Sequence, residues 1–182
     1  MKVTRKMQFK TEDICVGDQI TVKLAGFGKF TATAVKVTEQ GVKFLFDEVV
    51  ARHVMNEERT NEGGFAASDL KKWMDSVLLP AFPNKLRDRV RGLTIPTYGE
   101  IFGHDDFYEN FEPDEDEQYE LMKRRSNRVC DFEGDWCWWW LRNTTKKEVS
   151  SAYFAIVYFY GYTDCYCASA SRGVRPEFWL VR

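Results

Sequence analysis

The sequence predicts an α+β fold, a few short helices among antiparallel strands, and three observations carry that reading. Residues 18–47 hold three runs that alternate or concentrate β-branched residues. Two helix starts follow, one capped by Ser68 and one by the pair Thr97 and Glu100. Strand character then returns, with residues 152–160 apolar on both faces, as a central strand covered on both sides requires.

Ile20, Val22 and Leu24 alternate with Thr21 and Lys23, and Val42, Phe44 and Phe46 alternate after the turn at Glu39-Gln40-Gly41. With the β-branched run from Phe30 to Thr38 they predict a small antiparallel meander, bulged near Ala34 and Val35 where the phase changes. Ser68 predicts a helix with Leu70, Trp73, Met74, Val77 and Leu78 on one face, stopped by Pro80. A second helix is expected over 84–93, with Leu86, Val90 and Leu93 inward and Lys85, Arg87, Arg89 and Arg91 outward. Thr97-x-x-Glu100 reads as a capping box opening a short helix that Gly103 ends. Residues 104–120 carry nine carboxylates and no Lys or Arg, which predicts an exposed loop leading into a helix near 118–128. The tryptophan block, a run over 149–160, a turn at Gly161 and a last strand near Pro176 complete the chain. The expected division is a strand meander over 1–50, packed on a main domain over 51–182.

Totals exclude several classes. At 182 residues the chain is long enough to bury a core, and 44% hydrophobic with 30% charged residues is an ordinary globular balance. Of its 28 Phe, Trp and Tyr, 13 lie from Trp136 onward, so the C-terminal quarter supplies core, a sticky surface, or both. A net charge of -2 gives no footprint for nucleic acid, and the cluster Lys123-Arg124-Arg125 with Arg128 reads as a solvated face. No window spans a membrane, and the first 13 residues hold no apolar signal core. The expected place of synthesis is therefore the cytoplasm. Five cysteines, an odd count without C-x-x-C pairs, favour reduced thiols over a disulfide framework or zinc.

Candidate chemistry is thin. Asp114-Glu115-Asp116-Glu117 lacks the glycine turn and distal Glu of a calcium loop, and reads as solvated. Cys165-x-Cys167 places two thiols on one strand face, but no second pair or nearby His completes a metal set. Gly26-Phe27-Gly28 lacks the third glycine of a phosphate loop. Trp136, Trp138, Trp139 and Trp140 suit a stacking platform, yet rings buried on both faces of a strand, Trp138 with Trp140 and Trp139 with Cys137, are the simpler account. Arg142 is placed to tie the strand end to a neighbouring loop. No cofactor or metal is implied.

Four segments carry a resemblance. They are Ser68-Asp69-Leu70-Lys71-Lys72-Trp73, the stretch Leu93 to Gly103, Trp138-Trp139-Trp140-Leu141-Arg142, and Gly173-Val174-Arg175-Pro176-Glu177-Phe178-Trp179-Leu180. Together they resemble a domain of undefined function from gut Firmicutes and their prophages. That domain in turn is similar to the C-type-lectin-fold variable proteins of diversity-generating retroelements. Asn143 and Glu177 depart from the related pattern, which has Ser after the W-W-L-R element and a small residue after Val-Arg-Pro.

The resemblance implies a C-type-lectin-like mixed fold in which the W-W-L-R and V-R-P segments are framework and the part between them is displayed. Adenine-directed mutation of an AAC or AAT codon reaches Tyr, Asp, Cys, Ser, Ala, Phe and Val, and residues 158–169 are largely built from that set. The implied function is non-enzymatic recognition of a protein or glycan ligand. Its expected contact residues are Tyr158, Tyr160, Tyr162, Asp164, Cys165, Tyr166, Cys167 and Ser169, with Asn143 and Tyr153 at the edge. The rivals are a formylglycine-generating type of oxidase using Cys165 or Cys167, and a static structural protein of a phage particle.

Overall fold

A computed structural model describes residues 14–181; residues 1–13, on which the signal-segment reading fell, and Arg182 lie outside the described residues. Strands β1 (Gln19–Leu24), β2 (Gly28–Thr38) and β3 (Gly41–Phe46) form the expected antiparallel meander. Register between β2 and β3 shifts from Ala34 to Lys36, so Val35 is the extra residue of a bulge where the sequence placed one. Every residue of β3 is buried. Phe44 and Phe46 enter one hydrophobic core and Leu45 a second, because both faces of this strand are covered.

After the short strand β4 (Ala51–His53) come α1 (Gly64–Ala67) and α2 (Asp69–Trp73). The Ser68 hydroxyl caps α2 by accepting from the Lys71 N–H at 3.0 Å. A π turn over Met74–Leu78, with Leu79 N–H bonded to the Met74 carbonyl, then leads into α3 (Leu79–Ala81). The wider turn rotates the apolar face, so Leu78 is buried while Val77, expected inward, is exposed. Pro80 does not stop the helix. It sits in the first turn of α3, where its missing N–H is tolerated.

The second predicted helix is one turn, α4 (Asn84–Arg87), and Val90–Thr94 is instead strand β5. Val90 and Leu93 are both buried at a helix-like spacing of three for a strand reason. Gly92 has φ 58°, and β5 takes three steps from Arg91 to Thr94 while its partner takes two from Trp179 to Glu177. A bulge mimics the helical period.

Helix α5 (Tyr98–Phe102) opens on the predicted capping box and ends at Gly103. The acidic segment after it is not a free loop leading to a long helix. It is largely exposed, as expected, with a 3₁₀ turn at Asp106–Asn110, but Phe111 and Tyr119 are buried, and the helix expected near 118–128 is two 3₁₀ turns, Glu120–Lys123 and Arg125–Arg128. Its carboxylates fold back on α5: Asp105 accepts from the Tyr98 hydroxyl at 2.7 Å, Asp114 from Gly99 N–H at 3.1 Å and Asp116 from the Thr97 hydroxyl at 3.0 Å.

A hairpin of β6 (Asp131–Phe132) and β7 (Asp135–Trp136) turns through Glu133 and Gly134, both at positive φ. The remaining strands are β8 (Trp139–Thr144), β9 (Tyr153–Val157), β10 (Thr163–Cys167), β11 (Arg172–Val174) and β12 (Glu177–Val181). One five-stranded sheet runs β1-β2-β3-β12-β5 and the other β10-β9-β8-β11-β4. The fold is thus a mixed α+β one, mostly antiparallel with few helices. Residues 154–157 of β9 are fully buried, as predicted, and β12 begins just after Pro176. A division at residue 50 would cut the first sheet, since Glu177–Val181 pairs with Leu45–Gly41. The meander is hydrogen-bonded into the rest of the chain rather than packed on it.

At the centre, Gly173 N–H donates to the Trp138 carbonyl at 2.7 Å, bringing β11 against β8. A Cβ there would lie 2.9 Å from that same carbonyl oxygen and 2.7 Å from Val49 Cγ2. Gly173→Ala is therefore expected to destabilise the protein by about 1–3 kcal/mol through overpacking, read as a lower urea midpoint at unchanged slope.

Candidate functional site

The predicted framework is anchored on both faces of the W-W-L-R strand. Trp139 and Trp140 are buried on opposite faces of β8, Trp139 in the second core and Trp140 in the first. Each indole N–H is used, Trp139 on the Arg128 carbonyl at 3.0 Å and Trp140 on the His53 carbonyl at 2.9 Å. Arg175 of the V-R-P segment is buried; its Nε donates to the Phe46 carbonyl at 2.7 Å and its Nη1 to that of Asn127 at 3.1 Å, with the guanidinium carbon 4.9 Å from the Trp139 ring centre.

Between the sheets lies a buried charge cluster. Lys43 of β3 donates to Glu100 of α5 and, at 2.9 Å, to the Tyr119 hydroxyl, and its Nζ is 3.0 Å from Glu177 of β12. Tyr119 donates to Glu177 at 2.7 Å, while Arg142 of β8 bonds Glu100 at 3.3 Å and lies 3.8 Å from both Asp116 and Glu177. Arg142 thus ties the strand to its neighbours, as its position after the tryptophans suggested. Burial, then the adjacent Glu100 charge, push the Glu177 carboxyl up to about 7 against the pull of Lys43 and Arg142. Its Oε1 lies 3.0 Å from Lys43 Nζ, and that single contact does not offset the loss of water around a fully buried carboxyl. Burial raises Glu100 too, but Lys43 and Arg142 outweigh it and hold that carboxyl below its usual value.

Beyond this frame, the β9–β10 turn and the edge strand β10 carry an aromatic face. Tyr158 N–H bonds the Tyr162 carbonyl at 2.8 Å and Gly161, at φ 75°, packs on the Arg125 backbone. Tyr160 and Tyr162 are each 54% exposed, Tyr166 37%, and Trp136 at the hairpin end 59%. The rings form one chain of contacts. Trp136 meets Tyr160 edge-on at 5.6 Å, Tyr160 meets Phe159 at 5.9 Å, and Phe159, Tyr158 and Tyr166 surround Trp138 at 5.1, 4.4 and 5.5 Å. Arg172 lies against Trp138 and Tyr166, and Arg125 stacks on Tyr162 and donates to its hydroxyl.

The expected contact residues divide unevenly. Tyr160, Tyr162, Asp164 and Tyr166 are exposed, whereas Tyr158, Cys165, Cys167, Ser169 and Tyr153 are half-buried. Strand alternation explains the split: consecutive residues of β10 cannot share a face, and Cys165 packs against the second core. Burial pushes the Cys165 thiol up; burial also raises Cys167, but the Ser169 hydroxyl and amide, with Arg59, outweigh it and lower that thiol. Asn143 does not stand at the edge of the face. It is buried, accepting from Tyr98 N–H at 2.7 Å and donating to Asp114 at 2.7 Å and to the Glu112 carbonyl at 3.1 Å. Sequence reasoning passed over Trp136, Trp138, Phe159, Arg172 and Arg125 as contacts. The available signal was that Trp136 and Trp138 precede the strand proper, outside the fully covered ladder. Comparison with protein-family models, with curated proteins and with solved structures finds no match.

The charge cluster sets a pH dependence. Folding raises the Glu177 carboxyl above its unfolded value near 4.5, so the stability it contributes is complete below pH 4.5 and is lost as pH rises toward 7. Glu177→Gln, which keeps an uncharged group there, is expected to remove a decline of order 1–3 kcal/mol in unfolding free energy between pH 5 and 7.5. Paired urea titrations at the two pH values provide the check.

Proposed function

We propose that the chain is a ligand-binding protein with no catalytic role, in which a C-type-lectin-like frame displays the aromatic face for recognition of another molecule. One observation carries this reading. Among the described residues the exposed Trp and Tyr side chains are Trp136, Tyr160, Tyr162 and Tyr166, and all four belong to this face. Exposed aromatic rings gathered in one patch mark interaction surfaces, because each brings large rigid contact area at little entropic cost. The resemblance to variable proteins of diversity-generating retroelements fits the same face, since its most exposed phenols lie in the segment read as displayed. Flanking DNA bears on that part of the proposal: a reverse transcriptase beside a near-copy of the 3′ end, differing at adenines, supports it.

Folding and binding should separate under mutation. Replacing Tyr160, Tyr162, Asp164 and Tyr166 together with Ser is expected to cost about 2–3 kcal/mol at most, largely through lost ring contacts with Arg125 and Arg172. The single change Trp139→Ala, which empties a fully buried site, is expected to cost about 3–5 kcal/mol. Thermal unfolding ranks the two. Binders selected from a displayed protein library against the parent chain should lose at least tenfold in affinity for the fourfold variant; binders indifferent to it would remove the proposal.

A further inference from the structure

Beneath the aromatic face is a cavity of about 130 Å³ lined by Arg52, Trp136, Trp138, Phe159, Ser171 and Arg172, with Cys137 in its wall. We propose that this cavity seats one carboxylate, carried by an acidic side chain of a protein partner, an assignment that rests on the binding reading of the face above.

Charge is the first argument. Arg52 lies opposite Gly173 in the β4–β11 ladder and Arg172 opposite His53, so the two side chains leave opposite faces of this short ladder, and both line the cavity. No Asp or Glu lines the cavity, and among the described residues neither Arg52 nor Arg172 has a carboxylate within 4 Å. The nearest acids border other spaces. Asp135 lies beside Trp136 and Tyr160, while Arg52, whose guanidinium carbon is 5.6 Å from the Phe132 ring centre, also lines a second cavity with Glu48, Asp131 and Glu133. In a chain with net charge -2, two arginines on one cavity wall that holds no Asp or Glu form a local excess of positive charge.

Preorganisation is the second argument. The Arg172 guanidinium carbon sits 4.8 Å from the Trp138 ring centre and 4.1 Å from that of Tyr166, and Nη1 donates to the Ser171 carbonyl at 2.8 Å. Its plane is therefore held by two rings and one hydrogen bond while donors remain for a ligand. The donor excess extends into the wall, where Arg172 Nε and Trp138 Nε1 are buried without an acceptor. A planar carboxylate is the complement of a fixed guanidinium fork.

Size selects the bearer. Pockets that enclose whole small ligands occupy roughly 300–1,000 Å³, and this one is well below that range. It has room for an oxyanion on a short stem but not for a sugar ring or a nucleotide. The rest of such a ligand must lie outside, over Tyr160, Tyr166 and Trp136, as an acidic side chain projecting from a folded partner does.

Titrating the full chain with N-acetylaspartate N-methylamide, while following the indole N–H resonances of Trp136 and Trp138, tests the seat directly. Saturable shifts are expected with this probe and not with N-acetylasparagine N-methylamide. Arg172→Gln and Arg52→Gln should each weaken the response at least tenfold, and retained dispersion of the buried indole signals shows that each variant is folded. An equal response to the asparagine analogue, a stronger one to inorganic phosphate or to glucuronate, or indifference to both arginine changes would overturn the proposal. No partner is needed for this titration, so its failure removes the carboxylate seat and leaves the wider face to be judged by the display selection.

Discussion

Lys43, Glu100, Glu177, Tyr119 and Arg142 meet where β3, β12, β8 and α5 come together, and that meeting fixes how the two sheets are joined. Lys43 and Glu177 belong to neighbouring strands of the first sheet, Arg142 to the central strand of the second, and Glu100 to the helix between. Buried ions add little net stability over apolar packing, but removing one partner leaves an uncompensated charge, which is costly. The cluster therefore constrains where β8 lies more than how tightly it packs. With β8 fixed, Trp139 and Trp140 fill the two cores and Trp138 emerges at the end of the strand to support the aromatic face.

Glu177 and Asn143 both belong to buried polar networks around α5. Glu177 completes the cluster, and Asn143 bonds the start of α5 to the acidic segment through Asp114. Three acidic side chains of that segment are consumed in the same way, by Tyr98, Gly99 and Thr97. The excess negative charge of residues 104–120 is thus partly structural. It closes the N-terminal side of α5 and covers the second core with Phe111 and Tyr119.

What was legible in the sequence was local or periodic. The capping box at Thr97 and Glu100, the cap at Ser68, the bulge at Val35 and the opposed faces of Trp139 and Trp140 each follow from residues a few positions apart. Errors arose where one irregular residue changed the period. Gly92 lets β5 bury Val90 and Leu93 three apart, which imitates a helix, and the π turn before Pro80 turns Val77 outward. Asn143 and the acidic segment were misplaced because their partners lie tens of residues away, beyond any local pattern. On β10, a run of plausible contact residue types concealed the alternation that sends Cys165 inward while Tyr166 faces out.

On the proposed reading the frame and the displayed segment are energetically separate, so that side chains can change on one without unfolding the other. Native-state hydrogen exchange measures this residue by residue. The account predicts that amides of Trp140, Leu141 and Phe178 open only with global unfolding, while those of Tyr160 to Tyr162 and the β10 strand open at a free energy lower by about 2 kcal/mol or more. Exchange of both groups at a single common free energy would contradict it.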